Sequence, residues 1–147
     1  MPLTGRRAAQ MSWAFTANDY ERARRARREF TSFIKGCNRS LDAVHESELI
    51  FGELIGNAVR HVGGEVCAKL NLQGTQPVLC VTDCEPQSEL AIPERGPESE
   101  TGRGLLIVHA LARRVWVERS PRTKTVCAVL PCDLPLQASV ERGEVSA

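Results

Sequence analysis

The sequence predicts an α+β two-layer sandwich, with a mixed, mostly antiparallel sheet of about five strands and about three helices on one face. Two features of the hydrophobic pattern carry that prediction. Up to about residue 62 the apolar side chains recur mainly at helical spacing, and from Val66 the period drops to two. A later apolar run, Leu105 to Ala112, is long enough for a helix and lies between short strand-like segments.

Taken in order, Met11 to Thr16 alternates apolar and polar residues, the mark of a strand with one buried face. Asn18 and Glu21 form a capping-box pair for a first helix. Tyr20, Ala23, Arg27, Phe30 and Ile34 fall near one face of it, and Gly36 supplies the stop. A second helix runs from near Asp42 to about Val62. Val44, Phe51, Leu54, Ile55, Ala58, Val59 and Val62 form its broad apolar arc, and Gly63-Gly64 ends it. Gly56 stands inside that helix, where glycine costs ~1 kcal/mol against alanine. Close approach of another group is one reason for it and chance tolerance is the other.

Val66, Ala68, Leu70 and Leu72 then alternate with Cys67, Lys69 and Asn71, a half-buried strand. Gly74-Thr75-Gln76-Pro77 turns the chain, and Val78 to Val81 returns as the hairpin partner, ending at Thr82-Asp83. Cys84 to Thr101 is rich in proline and glutamate and poor in apolar residues; a loop of that length in a compact domain is functional or disordered. Gly102-Arg103-Gly104 opens a buried helix over the apolar run. Val115 to Glu118 and Thr125 to Leu130 close the sheet across a polar turn containing Pro121. The domain spans residues 11–134, with 1–10 and 135–147 expected as flexible termini.

At 147 residues the chain fits one domain with a single core. No apolar run approaches the ~20 residues of a membrane helix, and the first ten residues lack the apolar segment of a secretory signal. No membrane association and a cytoplasmic location are therefore expected. Of six cysteines, Cys67, Cys80 and Cys127 stand in apolar strand-like runs and no Cys-x-x-Cys pair occurs, so they read as small buried thiols rather than a disulfide framework or a zinc site. The net charge of +1 is unevenly distributed: residues 1–40 carry nine basic and three acidic side chains. The arginines lack aromatic interleaving, so direct nucleic-acid binding is not expected. A solvated helix face is preferred, with a docking face for an acidic protein as the other reading.

Three places could carry chemistry. Glu53 and Asn57 are one turn apart and share a helix face. A carboxylate beside an amide oxygen suits water and a hard cation such as Mg²⁺. Asp83 follows an apolar strand. Gly102-Arg103-Gly104 opens a helix, where free N–H groups and the helix dipole favour phosphate. Each alone is weak, since polar pairs on helices and aspartates at turns are commonplace. Neither a P-loop nor a strand-following Gly-x-Gly-x-x-Gly is present. His45-Glu46 lies only one to two turns before Glu53 on the same helix and is not read as a phosphoacceptor. His109 is read as a core or edge histidine.

The order of the pieces is more specific. Glu-x-x-x-Asn-x-x-x-His on a helix, a strand ending in aspartate, a long loop, a Gly-x-Gly helix start and Lys-Thr before the last strand together resemble the GHKL (histidine-kinase-like) ATPase superfamily. The resemblance covers Trp13 to about Leu134. Within it, Glu53-Leu54-Ile55-Gly56-Asn57-Ala58-Val59-Arg60-His61, Thr101-Gly102-Arg103-Gly104-Leu105-Leu106-Ile107-Val108 and Lys124-Thr125-Val126 look most like the stand-alone bacterial anti-sigma-factor serine/threonine kinases.

That resemblance implies ATP and Mg²⁺ as cofactors. It implies Glu53 as the catalytic acid that polarises an attacking hydroxyl or water, and Asn57 as the Mg²⁺ ligand. Arg60 or His61 would lie near the phosphates, and Asp83 would accept a hydrogen bond from the adenine amino group. Residues 84–100 would form a lid. Gly102, Arg103, Gly104 and Leu105 would form the phosphate-binding turn, and Thr125 would lie near the adenine end. The family's Asp-x-Gly-x-Gly box reads Asp83-Cys84-Glu85-Pro86-Gln87 here and lacks both glycines, with their backbone freedom. The implied function is an anti-sigma factor that phosphorylates a serine on an anti-sigma-factor antagonist, with a sigma factor as second partner and a homodimer as assembly. The alternatives are a partner-switching interaction module without turnover and a detached histidine-kinase ATPase half.

Overall fold

The computed structural model describes residues 10–61, 64–84 and 100–135. Its elements follow in the order β1 (Gln10–Thr16), α1 (Tyr20–Cys37), α2 (Leu41–His61), β2 (Glu65–Asn71), β3 (Val78–Cys84), α3 (Glu100–Leu111), β4 (Arg114–Arg119) and β5 (Thr123–Val129). The strands form a five-stranded sheet in the order β1-β2-β3-β5-β4, and all four pairings are antiparallel. The expected α+β sandwich is observed, with a fully antiparallel sheet where a mixed one was anticipated. Two hairpins, β2–β3 and β4–β5, fix two of these pairings, because short turns can join only antiparallel neighbours; β1–β2 and β3–β5 are joined through the helices.

Local signals explain the element boundaries. α1 is capped by Asp19, whose Oδ1 accepts from the Arg22 N–H at 3.1 Å, one residue beyond the expected Asn18. At its far end the Asn38 side chain donates to the Ile34 carbonyl at 3.1 Å, satisfying an orphan acceptor. Ser40 caps α2 by accepting from the Ala43 N–H at 3.1 Å. Between β2 and β3, the Asn71 side chain accepts from the Gln73 N–H, and Gly74 takes φ +82°, a region that favours glycine.

The helices cover the sheet face formed by Trp13, Phe15, Val66, Ala68, Leu70, Leu79, Val81, Val126 and Ala128. These residues join Ala26, Phe30, Ile34, Ile50, Phe51, Leu54, Ala58 and Val108 in one core. At its centre Phe30 stacks on Phe51 with centroids 4.4 Å apart, and Trp13 meets both edge-on. Thr31 donates to Glu48 at 3.1 Å across α1 and α2. Tyr20, expected near the apolar face of α1, is instead exposed, since the buried row is Ala26, Phe30 and Ile34.

Two further expectations change. α3 starts at Glu100, two residues before the glycine pair, and is amphipathic rather than buried all round: Gly104 and Val108 are covered, whereas Leu106 and His109 are exposed. Cys80 and Cys127, expected as separate thiols, form a disulfide between β3 and β5. They are directly opposite in register, with Cα atoms 4.1 Å apart, on the sheet face away from the helices. Among the described residues no helix is long and apolar enough to cross a membrane.

Candidate active site

The site is built first on α2. Ile50, Phe51, Leu54 and Ala58 lock one side of this helix into the core, which fixes the rotation of the rest. Glu53 and Asn57 then share a neighbouring face, Glu53 half-buried and Asn57 4 % exposed. The Asn57 Oδ1 is buried and accepts no hydrogen bond from the described residues. An acceptor left in that state costs about 1–3 kcal/mol, which a bound cation or water would offset.

The second part comes from α3, which packs along α2. A Cβ added to Gly104 would lie 2.7 Å from Oε1 of Glu53, well inside contact distance. Glycine at this position therefore lets the Glu53 carboxylate rest directly against the backbone of α3. In a helix that begins at Glu100, the N–H groups of Gly104 and Leu105 point to carbonyls four residues back. The free backbone donors lie in the turn before Gly104, so the anion-binding end sits slightly earlier than the glycine spacing predicted. Leu105 itself is half-buried against the core.

The third part is the end of β3. Asp83 is 3 % exposed and pairs in register with Val66 on one side and Lys124 on the other. Residues directly opposite in an antiparallel pair project to one face. Asp83 and Lys124 therefore share the helix-covered face, along with Val81 and Val126. Thr125 belongs to the other face, where its Oγ1 lies 2.8 Å from Oγ1 of Thr82. The Thr125 side chain therefore projects to the opposite face from that of Asp83. Lys124 was missed by sequence reasoning, because the run from Val126 to Leu130 is buried on both faces and offers no alternation that would place it.

Arg60 and His61 close α2, and Gly102 and Arg103 lie in the first turns of α3. The roles expected of the Arg60, His61 and Arg103 side chains fall outside the described residues, as does the lid expected beyond Cys84.

These groups suit Mg²⁺ with a nucleotide phosphate. The available ligands are hard oxygens, and no cluster of three or more metal-binding His, Cys, Asp or Glu side chains occurs among the described residues. Mg²⁺ characteristically takes one or two protein oxygens and completes its shell with phosphate and water. The Asn57 acceptor and the glycine-lined contact between α2 and α3 meet that requirement.

An antiparallel sheet covered on one face by helices carries the Glu53 carboxylate against the Gly104 backbone, with the Asn57 carboxamide one turn along α2. The family model described as the histidine kinase-like ATPase domain matches residues 16–130, most of the chain. The chain belongs to that family, and ATP binding is the property that membership carries. No curated protein matches the chain.

Proposed function

We propose that this chain is an ATP-binding regulator of the anti-sigma-factor type, a cytoplasmic bacterial protein that phosphorylates a serine or threonine on an anti-sigma-factor antagonist. A sigma factor is its second protein partner, and the working assembly is a homodimer. The observation that carries the reading is the packing of the Glu53 carboxylate against Gly104, with the open acceptor of Asn57 one turn along α2.

In this reading Asn57 would hold Mg²⁺, and the first turn of α3 would present N–H groups to the phosphates. ATP, when bound, would supply the γ-phosphoryl group: the bond between Pγ and the β,γ-bridging oxygen breaks, ADP leaves, and the acceptor oxygen takes its place on phosphorus. Glu53 would orient the acceptor hydroxyl and take its proton as the new O–P bond forms. Asp83 accepts from the adenine amino group. Positioning and charge stabilisation then account for most of the rate.

Calorimetry with ATP and Mg²⁺, on wild type and Asn57→Ala, tests the site; binding that Asn57→Ala removes is expected. Mass spectrometry of an anti-sigma-factor antagonist incubated with the protein and ATP tests the chemistry. Phosphoserine or phosphothreonine supports the proposal, and acid-labile phosphohistidine replaces it with a detached histidine-kinase half. ATP binding without any phosphorylation favours a partner-switching module. The absence of both glycines from Asp83-Cys84-Glu85-Pro86-Gln87 is the observation behind that second reading.

A further inference from the structure

The register of β3 with β5 sets a buried acid beside a base on the same face: Asp83 directly opposite Lys124. Asp83 is almost wholly covered, and Lys124 is half-buried. Directly opposed residues of an antiparallel pair have Cβ atoms about 4.5–5.5 Å apart. A short acceptor and a long, flexible donor therefore stand side by side at the end of the central strand. An ionised aspartate only accepts hydrogen bonds, and a lysine ammonium only donates them.

We propose that Asp83 and Lys124 read the Watson–Crick edge of the base together, Asp83 accepting from the exocyclic amine and Lys124 donating to the adjacent ring nitrogen. The proposal rests on the ATP-binding reading above and adds a specificity-determining residue to it. Adenine presents a donor at its amine and an acceptor at N1. Guanine presents an acceptor at O6 and a donor at N1, so both contacts would be reversed. Once the base covers both groups, the site rejects such a ligand strongly, because neither group would find its partner on it. Thr125 cannot provide this contact, since it lies on the other face of the sheet.

Calorimetry on the full chain separates the possibilities, with ATP, AMP, GTP and 1-deaza-ATP (which lacks the N1 acceptor) as probes. Wild type should bind ATP far more tightly than GTP and should lose about tenfold or more on going to 1-deaza-ATP, as expected for a hydrogen bond to a charged donor. Lys124→Met should weaken ATP and AMP by a similar factor and should bind 1-deaza-ATP no worse than wild type does. That non-additivity is the signature of one shared contact. Circular-dichroism melting of Lys124→Met checks that the fold is retained.

Additive losses from Lys124→Met and the deaza substitution overturn this inference while leaving ATP binding intact. A loss confined to ATP, with AMP unaffected, also overturns it and moves Lys124 to the phosphates. Unchanged binding by Lys124→Met reduces the residue to a cross-strand neighbour of Asp83 and overturns it as well. If wild type binds no ATP under conditions where the fold is intact, both readings fall together.

Discussion

The carboxylate of Glu53 occupies the space that a side chain on residue 104 would need: a Cβ on Gly104 would fall 2.7 Å from Glu53 Oε1. The obstructing atom is the far end of a flexible side chain, so the carboxylate can be displaced without unfolding either helix. Gly104→Ala should therefore retain the fold and gain part of the ~1 kcal/mol by which alanine exceeds glycine in a helix. On the proposed kinase reading, its phosphoryl-transfer rate should fall at least tenfold, because Glu53 has moved. In a Glu53→Ser background the same change should only stabilise. Melting curves and ATP-dependent phosphorylation of the single and double variants check this.

Asn57→Leu should separate stability from function. The substitution removes a buried acceptor that no described residue satisfies and replaces it with an apolar side chain of similar size. The nucleotide-free protein should melt at the same temperature or up to about 4 °C higher, as ~1 kcal/mol implies for a domain of this size. Mg²⁺ and ATP should raise the melting temperature of the wild type and should not raise that of this variant. Differential scanning calorimetry with and without ligand reads both effects.

Reduction of Cys80–Cys127 should destabilise the sheet. The bridge spans 47 residues of sequence, a separation for which the chain-entropy account gives about 4 kcal/mol. Urea unfolding under non-reducing conditions and in excess phosphine reductant should differ by roughly 2–4 kcal/mol. A Cys80→Ser, Cys127→Ser variant should match the reduced protein and show no response to reductant. Coincident curves for oxidised and reduced wild type would exclude the bridge as a stabilising element.

Cys132 should make the protein sensitive to alkali. Burial pushes its thiol above the usual range, partly offset by the nearby Ser47 hydroxyl and by Arg113. The neutral thiol is favoured in the folded state, so below the ordinary thiol range this group does not alter stability with pH. Above that range the unfolded thiol ionises first and the unfolded chain binds fewer protons. Stability then falls with pH until the folded thiol also titrates. Cys132→Ala should be less stable at neutral pH, from the lost packing, and should show a shallower alkaline decline in urea midpoints.

Much of the fold was legible because single residues announce it. The even spacing of Val66, Ala68 and Leu70 identified β2 and its buried face, and Gly74 marked the turn to β3. The Glu53 and Asn57 face of α2 was equally readable, since the apolar arc fixes where the remaining side chains point. The start of α3 was less so: Glu100 and Thr101 tolerate a helix, so the glycines did not mark its first residue. The disulfide was illegible because it depends on which residue of β5 meets Cys80, a matter of pairing and not of either strand alone. The faces of β5 were hidden for a related reason. From Val126 to Leu130 every side chain is buried, so the alternation that would separate Lys124 from Thr125 is erased.

That last strand has a consequence for how such a pocket can vary. Odd and even positions of β5 are committed to opposite sides of the sheet, and the even ones meet Asp83, Val81 and Leu79 in turn. Moving β5 by one residue would trade an ammonium for a hydroxyl beside Asp83, and it would also exchange Val126 for Cys127 in the core. Insertions at the β4–β5 turn therefore cannot tune the base contact by sliding the strand. The pocket's vocabulary changes only by point substitution at residue 124, one letter at a time, while the frame in which that letter is read is held by the core.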